Sequence, residues 1–566
     1  MARKRALIRW TALTAIALFL AGAAAATDGA ADMILTGGRV YTPDGWKQAV
    51  AIRDGTIIAV GTDAEVARER GPDTHTLDLA GAPLFPGLRD EHIHPVSAAL
   101  ERLACRVPPG ASWDDVLNVV RACAEAPLSG GWIIATPVES EALMDPRATR
   151  QALDAAAPGK SVLILAVGGH AAVANTQALA AAGIDGSTPV PPGSVIARDS
   201  SGDLTGLLQE APINLVVAAL PPPDPAVIAM ALAGVLDELL AAGVTSVTDA
   251  NSNVLNLQAY SGLADAGRLV LRVRACSMWA LPAPVESATD VGRYSRDRLA
   301  TDCVKIFVDG ESYTGRTAAL LEPYQPADGS VTDELGALAV PPDALSDAVI
   351  AFDRAGLTVK FHAWGDAAVN AALTAIEAAR EANGSTGPRH QIGHVMLARR
   401  EDIDRARRTN AVLEFSPAGW QPPALPLVGK DIGALRMARA WPVRDALEAG
   451  APAVAGTDWP AGPPGPYNPW MGIETLVTRL NPGDTQGEPL APGQRVSLEQ
   501  AIAMFTEYPA THSSEPDSPG IIAPGREADL IVLDRNPFEV PITDVHRIKT
   551  LRTIVGGEIV WEADGS

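Results

Sequence analysis

Short apolar runs alternate with alanine-rich amphipathic stretches through the middle of the chain. The apolar runs predict buried strands, and the stretches 227–242, 344–355, 367–382 and 401–408, with apolar positions three and four residues apart, predict helices. Regular alternation of the two predicts a parallel sheet with helices packed outside it. The candidate strands are eight in number: 84–88, 243–249, 269–277, 303–309, 357–362, 390–395, 411–416 and 452–458. Eight such strands close into a (β/α)8 TIM barrel, and the fold class is therefore α/β, with the barrel spanning residues 84–519.

One connection is too long for a single helix. About 150 residues separate the first candidate strand from the second. They contain apolar runs of their own at 132–138 and 161–167, together with several helical stretches. We therefore expect the region from about 100 to 240 to contain an inserted subdomain that covers the mouth of the barrel.

The two ends of the chain have a different pattern, with short apolar runs separated by tight turns. Asp54-Gly55 and Gly556-Gly557 are typical hairpin turns, and short strands flank each of them. Two β-rich ends around a long middle predict one small β-sandwich domain built from residues 32–83 and 520–566. The alternative is two unrelated terminal hairpins.

The first 26 residues have the pattern of a secretory signal peptide. Four basic residues precede an apolar run at 11–20, and small residues follow it up to Ala26. Cleavage after Ala26 predicts an exported protein, periplasmic or secreted. The apolar run is short for a permanent membrane span, so we expect none after cleavage. An uncleaved anchor is the alternative.

Composition and charge exclude several classes of protein. A chain of 566 residues, 47% of them hydrophobic and 20% charged, is a globular protein of more than one domain. Its formal net charge of −22 repels phosphate backbones and anionic lipids, so nucleic acid is excluded as a partner, while the acidity does not identify the substrate. The four cysteines form no C-x-x-C pair, which argues against a zinc–thiolate site. Cys105 and Cys123 either form a disulfide or are both free.

Polar side chains follow the predicted barrel strands at their carboxyl ends. His92 and His94 come one residue apart after the first strand. Alternate side chains of an extended segment point to the same side, so both imidazoles can bind one metal ion. A chance pair of surface histidines is the alternative.

Four further polar residues occupy corresponding positions in later strands. Lys305 lies within the fourth strand, His362 ends the fifth, His394 lies in the sixth and Asp458 ends the eighth. Taken singly, each has a structural explanation: an ion-paired lysine, a hydrogen-bonded core histidine or a turn cap. Together they supply imidazole, carboxylate and amine groups at the end of a barrel where enzymes place their reactive groups. The sequence therefore predicts a metal centre.

These motifs resemble those of the amidohydrolase superfamily, and within it the subgroup that includes N-substituted formamide deformylase. The resemblance covers nearly the whole mature chain. It rests on the segments 86–94, 304–310, 362–366, 389–394, 456–458, 497–502 and 520–533 and, inside the insert, on 168–175 and 202–207.

The resemblance implies a hydrolase with two divalent metal ions, with zinc favoured and manganese or iron as the alternatives. Asp458 would also act as general base and then general acid. His170, in the insert, would stabilise the oxyanion; the alternative is that it fixes its glycine-rich loop. The implied ligands are His92, His94 and Asp458 for the inner ion, His362 and His394 for the outer ion, and Lys305, carboxylated by carbon dioxide, as the bridge.

The function that the resemblance implies is an exported, metal-dependent amidohydrolase that cleaves an amide-like carbon–nitrogen bond in a small molecule. Hydrolysis of an ester, lactone or carbamate at the same centre is the alternative. A catalytically silent binding protein on the same fold is a remote alternative, because its mark would be the loss of metal ligands. A homodimer is also implied.

Two departures from the family pattern concern the site. Gly393 stands where the family pattern places a glutamate before the histidine of strand six, and the segment 311–316 differs from the usual continuation after strand four. We expect the latter to line the pocket. Three tryptophans near strand ends, Trp364, Trp420 and Trp459, form an aromatic wall or belong to ordinary barrel packing.

Overall fold

The largest sheet of the molecule is a parallel barrel of eight strands. The structure, a computed structural model, describes residues 29–125, 131–312, 315–420, 429–461, 465–512 and 519–564. Each barrel strand pairs with the next one along the chain, in parallel. Numbered one to eight, the barrel strands are Leu88–Ile93, Val244–Ser252, Arg272–Met278, Leu299–Phe307, Thr358–Ala363, Gln391–His394, Val412–Phe415 and Ala453–Ala455. The predicted TIM barrel is confirmed.

Helices surround the barrel and bury one face against it. In Asp366–Asn383 the buried positions include Val369, Leu373 and Ile376, which recur at the helical spacing of three and four residues. The outer faces of the strands meet these apolar stripes, and most strand residues are therefore buried on both faces. The helices outside the barrel are Pro95–Leu103, Pro225–Ala241, Val254–Asp265, Glu286–Thr289, Pro342–Arg354, Asp366–Asn383, Arg400–Thr409, Ala434–Met437, Val443–Glu448, Pro469–Thr478, Leu498–Ala503 and Glu507–His512.

Strands one and eight close the barrel through backbone hydrogen bonds just beyond strand eight. The N–H of Asp458 donates to the carbonyl of His92 at 2.6 Å, and the N–H of His94 donates to the carbonyl of Trp459 at 2.8 Å. Gly456 makes this approach possible, because a Cβ there would lie 2.3 Å from the backbone nitrogen of His92. The closure therefore brings the His-x-His pair and Asp458 together.

The prediction that residues 84–88 form the first barrel strand is wrong. Pro83–Pro86 instead pairs antiparallel with Leu530–Leu533 in a different sheet, and the barrel strand is Leu88–Ile93. The chain changes sheets at Gly87, where a Cβ would lie 2.3 Å from the hydroxyl of Thr245. Both segments are buried throughout, so hydrophobicity alone does not mark the boundary between them. As a consequence His92 lies within strand one and not after it.

The two ends of the chain form one β-sandwich. Its sheets share a core in which Leu35 and Ile52 of the first sheet join Leu530 and Ile554 of the second. The alternative of two unrelated hairpins is therefore wrong, while the domain limits given above stay predictions. The first sheet has the order Thr56–Gly61, Ala49–Arg53, Met33–Thr36, His75–Asp78, and the second Arg39–Val40, Pro83–Pro86, Leu530–Leu533, Thr550–Val555, Glu558–Glu562.

The long connection after strand one contains a second α/β unit with its own apolar cores. Both of the strands expected within it are present, as Trp132–Val138 and Ser161–Ala166. Its six-stranded sheet has the order Val195–Arg198, Leu204–Gln209, Ala171–Ala174, Ser161–Ala166, Trp132–Val138, Cys105–Arg106, and its helices are Trp113–Glu125, Ser140–Leu143, Arg150–Ala156, Thr176–Ala181 and Ala211–Ala218.

All four cysteines are paired. Cys105 bonds Cys123 within the inserted unit, which is one of the two possibilities that the sequence left open. Cys276 bonds Cys303 between barrel strands three and four, a pairing that the sequence analysis did not predict. The predicted signal peptide lies outside the described residues. Within those residues, no helix combines the length and the apolar character needed to cross a membrane.

Candidate metal centre

Three of the predicted ligands form a compact donor cluster at the carboxyl ends of the barrel strands. One donor atom from each of His92, His94 and Asp458 lies within 4.8 Å of the other two. Nε2 of His94 is 3.1 Å from Oδ1 of Asp458, and Nε2 of His92 is 3.6 Å from the same oxygen. Two imidazoles and a carboxylate at this spacing are a donor set that suits a divalent cation such as zinc.

Two further histidines continue this cluster across the barrel. The ring of His394 lies 4.6 Å from that of His92 and 4.5 Å from that of His362, measured between centroids. Both ring nitrogens of His362 are buried. Nδ1 lies 3.4 Å from Oδ1 of Asp309, and Nε2 has no hydrogen-bond partner within the described part of the chain. Buried polar atoms are rarely left unpaired. A buried nitrogen without a protein partner, Nε2 of His362, beside the ring of His394 therefore fits an ion-binding role.

The backbone at two of these residues adopts an unusual conformation. His394 has a φ of 72° and Asp458 a φ of 58°, in the left-handed region that costs a residue with a side chain on the order of 1 kcal/mol. Val395, which follows His394, has a φ of 38°. Such strain persists only where the surrounding structure imposes it, and it concentrates at functional sites.

The buried imidazoles are neutral, as metal ligands must be. Burial lowers the pKa of His92 well below its ordinary value, and the neighbouring ammonium groups of Lys305 and Lys360 lower it further. Burial also lowers the pKa values of His362 and His394, and the nearby cations act in the same direction. Each ring therefore has one nitrogen with a free lone pair at neutral pH.

Lys305 points into the same cluster from strand four. Its Nζ lies 3.2 Å from Nε2 of His92, and the side chain is 1% exposed. Burial, followed by repulsion from Lys360, lowers the pKa of Lys305 to about 7. A large fraction of this amine is therefore neutral and nucleophilic at neutral pH.

The inserted unit brings His170 to the edge of the cluster. Its ring lies 5.2 Å from that of His362, and its Nδ1 is 2.9 Å from Oε2 of Glu210. Burial lowers the pKa of His170, but the charge and hydrogen bond of Glu210, together with the charges of Glu311 and Asp458, act against burial and raise the pKa to about 9. The other oxygen of Glu210 accepts a hydrogen bond from the hydroxyl of Thr317 at 2.9 Å. This bond connects the inserted unit to the segment that follows barrel strand four. His170 is thus an imidazolium beside the neutral imidazole of His362.

Four acidic residues near the centre were missed by sequence reasoning. Asp249 lies 4.0 Å from Nδ1 of His94, and Asp309 lies 3.4 Å from Nδ1 of His362. Glu210 holds His170, and Glu414 contacts Nδ1 of His92. Asp249 ends the second predicted strand, so the rule that found Asp458 could have found it too. Glu414 lies inside a strand, where only the register decides which residues face inward.

The expected aromatic wall belongs mainly to packing. Trp364 and Trp420 are almost fully buried and pack against Trp441, with ring centroids 5.9 Å and 5.3 Å away. Trp459 packs against Tyr467 at 5.6 Å. The ordinary packing interpretation therefore explains all three predicted tryptophans.

The segment 311–316, which departs from the family pattern after strand four, makes contacts at both of its ends. Glu311 is buried, and its backbone N–H donates to the hydroxyl of Thr317 at 2.9 Å. Arg316 pairs with Asp431 and Glu334 and therefore faces a neighbouring loop. Residues 313 and 314 lie outside the described part, so the expectation that this segment lines the pocket stays a prediction.

Comparison with known proteins assigns most of the chain to one family. The model of the amidohydrolase family matches residues 75–561. The N-substituted formamide deformylase of Arthrobacter pascens is 30% identical over 560 residues, which cover 94% of this chain and 99% of that protein. The putative amidohydrolase YtcJ of Bacillus subtilis is 29% identical over 540 residues, covering 93% and 98%.

A solved structure shares the fold. An uncharacterized metal-dependent hydrolase from Pyrococcus horikoshii superposes with a TM-score of 0.71 at 23% identity, over 90% of this chain and 99% of that one. This likeness supports the barrel, the sandwich and the insert as one architecture.

Proposed function

This chain belongs to the amidohydrolase family, and we propose that it is a metal-dependent hydrolase of an amide-like carbon–nitrogen bond in a small molecule. The observation that carries the proposal is the meeting of four imidazoles, one carboxylate and one amine at the carboxyl ends of the barrel strands. Among the relatives, the formamide deformylase of Arthrobacter pascens has a name that specifies an amide bond. A catalytically silent protein on this fold would have lost ligands, and none of the six is lost here.

The donor set fits two divalent ions. His92, His94 and Asp458 would hold one, and His362 with His394 the other. The buried Nε2 of His362, which has no protein partner among the described residues, fits this assignment. Imidazole and oxygen donors suit zinc. When bound, such ions lower the pKa of an attacking water and polarise the scissile carbonyl.

We propose that Lys305 is carboxylated, and that its carbamate would then serve as a shared ligand for the two ions. The neutral amine attacks carbon dioxide, forming a nitrogen–carbon bond and releasing one proton, and the product is a carboxylate. Burial supports the reaction, because it keeps the amine uncharged near neutral pH. Nζ already lies beside His92, so the added carboxylate would extend into the histidine cluster.

Asp458 is placed to transfer the proton of the reaction. Its Oδ1 lies 3.1 Å from Nε2 of His94, and its Oδ2 lies 3.7 Å from Nδ1 of His394, so the carboxylate stands between the two groups of histidines. We assign to it the acceptance of a proton from the attacking water and its delivery to the leaving nitrogen. An amine is a poor leaving group without that proton, so this delivery matters most for an amide.

His170 supplies a positive charge on the other side of the centre. Glu210 occupies Nδ1 of its ring, which leaves Nε2–H to donate to the oxygen that becomes negative when the carbonyl is attacked. The alternative role, fixing the glycine-rich loop, requires no charge on the ring. The raised pKa of His170 therefore favours the catalytic role.

We also propose that the protein is exported. The pattern of residues 1–26 supports this proposal, and so do the two disulfides, which persist in oxidising compartments and are rare in the cytosol. Cell fractionation of the full-length protein tests it. Mature protein that begins after Ala26 in the exported fraction is the expected result, and full-length protein in the cytosol would contradict it.

A panel of matched amides and esters tests the reaction itself. The protein, loaded with zinc or manganese and bicarbonate, is offered N-substituted formamides, longer N-acyl amines and the corresponding esters and lactones. We expect turnover of at least one amide series that requires both metal and Asp458. Turnover of esters or lactones alone, with Asp458→Asn retaining most of the rate, would instead favour the alternative hydrolase, whose leaving groups need less acid assistance.

A further inference from the structure

Glu414 lies between two of the candidate metal ligands. It is fully buried in strand seven, and its Oε2 contacts Nδ1 of His92. Its Oε1 accepts a hydrogen bond from the hydroxyl of Ser416 at 3.0 Å, and that same hydroxyl lies 3.2 Å from Nδ1 of His394. One carboxylate therefore reaches one histidine directly and a second through a serine.

These contacts determine which nitrogen of each ring carries the proton. Ionised Glu414 only accepts hydrogen bonds, so in that state Nδ1 of His92 is the protonated nitrogen. The hydroxyl of Ser416 has a single proton, which it gives to Glu414, and it therefore accepts from a protonated Nδ1 of His394. In both rings the lone pair is left on Nε2. For His92 this nitrogen faces Lys305 and Asp458, the side where the metal is proposed.

Gly393 provides the space for this carboxylate. A Cβ at position 393 would lie 2.8 Å from Oε2 of Glu414 and 3.2 Å from Cε1 of His92. Strands six and seven pair Ile392 with Leu413, so positions 393 and 414 come next in the same register. A carboxylate on either strand would enter the same space. The glycine that departs from the family pattern and the buried glutamate are thus two parts of one arrangement.

We infer that Glu414 is a positioning residue that fixes the tautomer and the orientation of His92 and, through Ser416, of His394. In this chain it takes the place of an acid on strand six. The inference rests on the proposed metal centre and adds a residue that does not itself bind the ion. Outer hydrogen-bond partners of this kind orient ligand imidazoles and raise their basicity. Lys360, 3.6 Å from Oε2, balances the buried charge.

Metal affinity in matched variants tests the inference. Glu414→Gln keeps the size of the side chain and removes the charge. Glu474→Gln is the control, since Glu474 is equally buried and contacts a histidine, His546, that is not one of the candidate ligands. Zinc affinity, measured by competition with a chelator, should fall about 10- to 100-fold in Glu414→Gln and stay unchanged in the control. The visible spectrum of the cobalt-loaded protein should change only in Glu414→Gln.

A variant in which the carboxylate is moved from strand seven to strand six distinguishes a positioning role of Glu414 from a general effect on stability. Gly393→Glu/Glu414→Gly should recover most of the zinc affinity that Glu414→Gly alone loses. If Glu414→Gln does not fold, Ser416→Ala, which cuts only the connection to His394, should weaken binding of one ion of the two. Unchanged zinc affinity and an unchanged cobalt spectrum in a folded Glu414 variant, or equal losses in the Glu474 control, would overturn the inference. A wild-type protein that binds no metal would instead overturn the proposed function.

Discussion

The amino nitrogen of Lys305 lies 3.2 Å from Nε2 of His92, although 213 positions separate the two residues along the chain. The contact joins strand four to strand one across the interior of the barrel. A lysine buried beside an imidazole has no structural need for that place, because a buried ammonium group is costly unless it is paired. The contact is explained if the amine is converted into a carboxylate that binds metal together with the histidines.

Replacing Lys305 tests its role as a bridging ligand. Lys305→Ala should lose bound metal and reduce kcat by at least about 100-fold, since both ions lose a shared ligand. Acetate or propionate added at millimolar concentration should restore part of the activity by filling the vacated space with a carboxylate. Lys549→Ala, which changes an exposed lysine of the β-sandwich end of the chain, is the control. Full metal content and activity in Lys305→Ala would contradict the assignment.

The pKa of Lys305 predicts how assembly of the centre depends on pH. The amine is protonated below a pKa of about 7 and neutral above it, and only the neutral form reacts with carbon dioxide. Reconstitution of the metal-free protein with zinc and bicarbonate should therefore be more complete at pH 8 than at pH 6. Activity recovered after a fixed time measures it. Equal recovery at both pH values, or no dependence on bicarbonate, would show that no carbamate forms.

Substitutions at His170 and Glu210 separate charge stabilisation from loop packing. His170→Ala should lower kcat about 100- to 1,000-fold with bound metal unchanged, as expected when one donor to a developing oxyanion is removed. Glu210→Gln should have a smaller effect in the same direction, because the ring loses the partner that keeps it protonated. Normal kcat in His170→Ala, with only a lower melting temperature, would identify the histidine as structural.

Substitution of Gly456 tests whether the close approach of strands one and eight positions the candidate metal ligands. Gly456→Ala would put a Cβ 2.3 Å from the backbone of His92, so the edge between strands one and eight must open. We expect a stability loss of roughly 2 kcal/mol or more and weaker zinc binding. Gly262→Ala is the control, because it lies in the helix Val254–Asp265 with open space around it and should be neutral or slightly stabilising. Equal behaviour of the two variants would contradict this view of the closure.

Much of the fold could be predicted because its elements are locally encoded. The helix predicted at 367–382 is Asp366–Asn383, and the strand predicted at 357–362 is Thr358–Ala363. The alternation of such elements leads to a parallel barrel, and polar residues at strand ends then converge through geometry alone. His362 and Asp458 were identified in this way.

The remaining features depend on register and pairing, which one sequence does not specify. The switch between sheets at Gly87 lies inside a continuous apolar stretch, so the first barrel strand was placed too early. The disulfide between Cys276 and Cys303 required the knowledge that strands three and four align these two positions. Glu414 is an inward-facing charge within an apolar strand, and its partner His92 becomes visible only when the barrel closes.

The metal content of the purified protein tests the central claim most directly. Elemental analysis of the wild type, reconstituted with zinc and bicarbonate, is compared with that of the double variant His92→Ala/His94→Ala. The account predicts about two divalent ions per chain in the wild type, loss of at least one in the variant, and hydrolytic activity that follows the metal. Fewer than about one ion per wild-type chain, with no activation by added zinc or manganese, would contradict it.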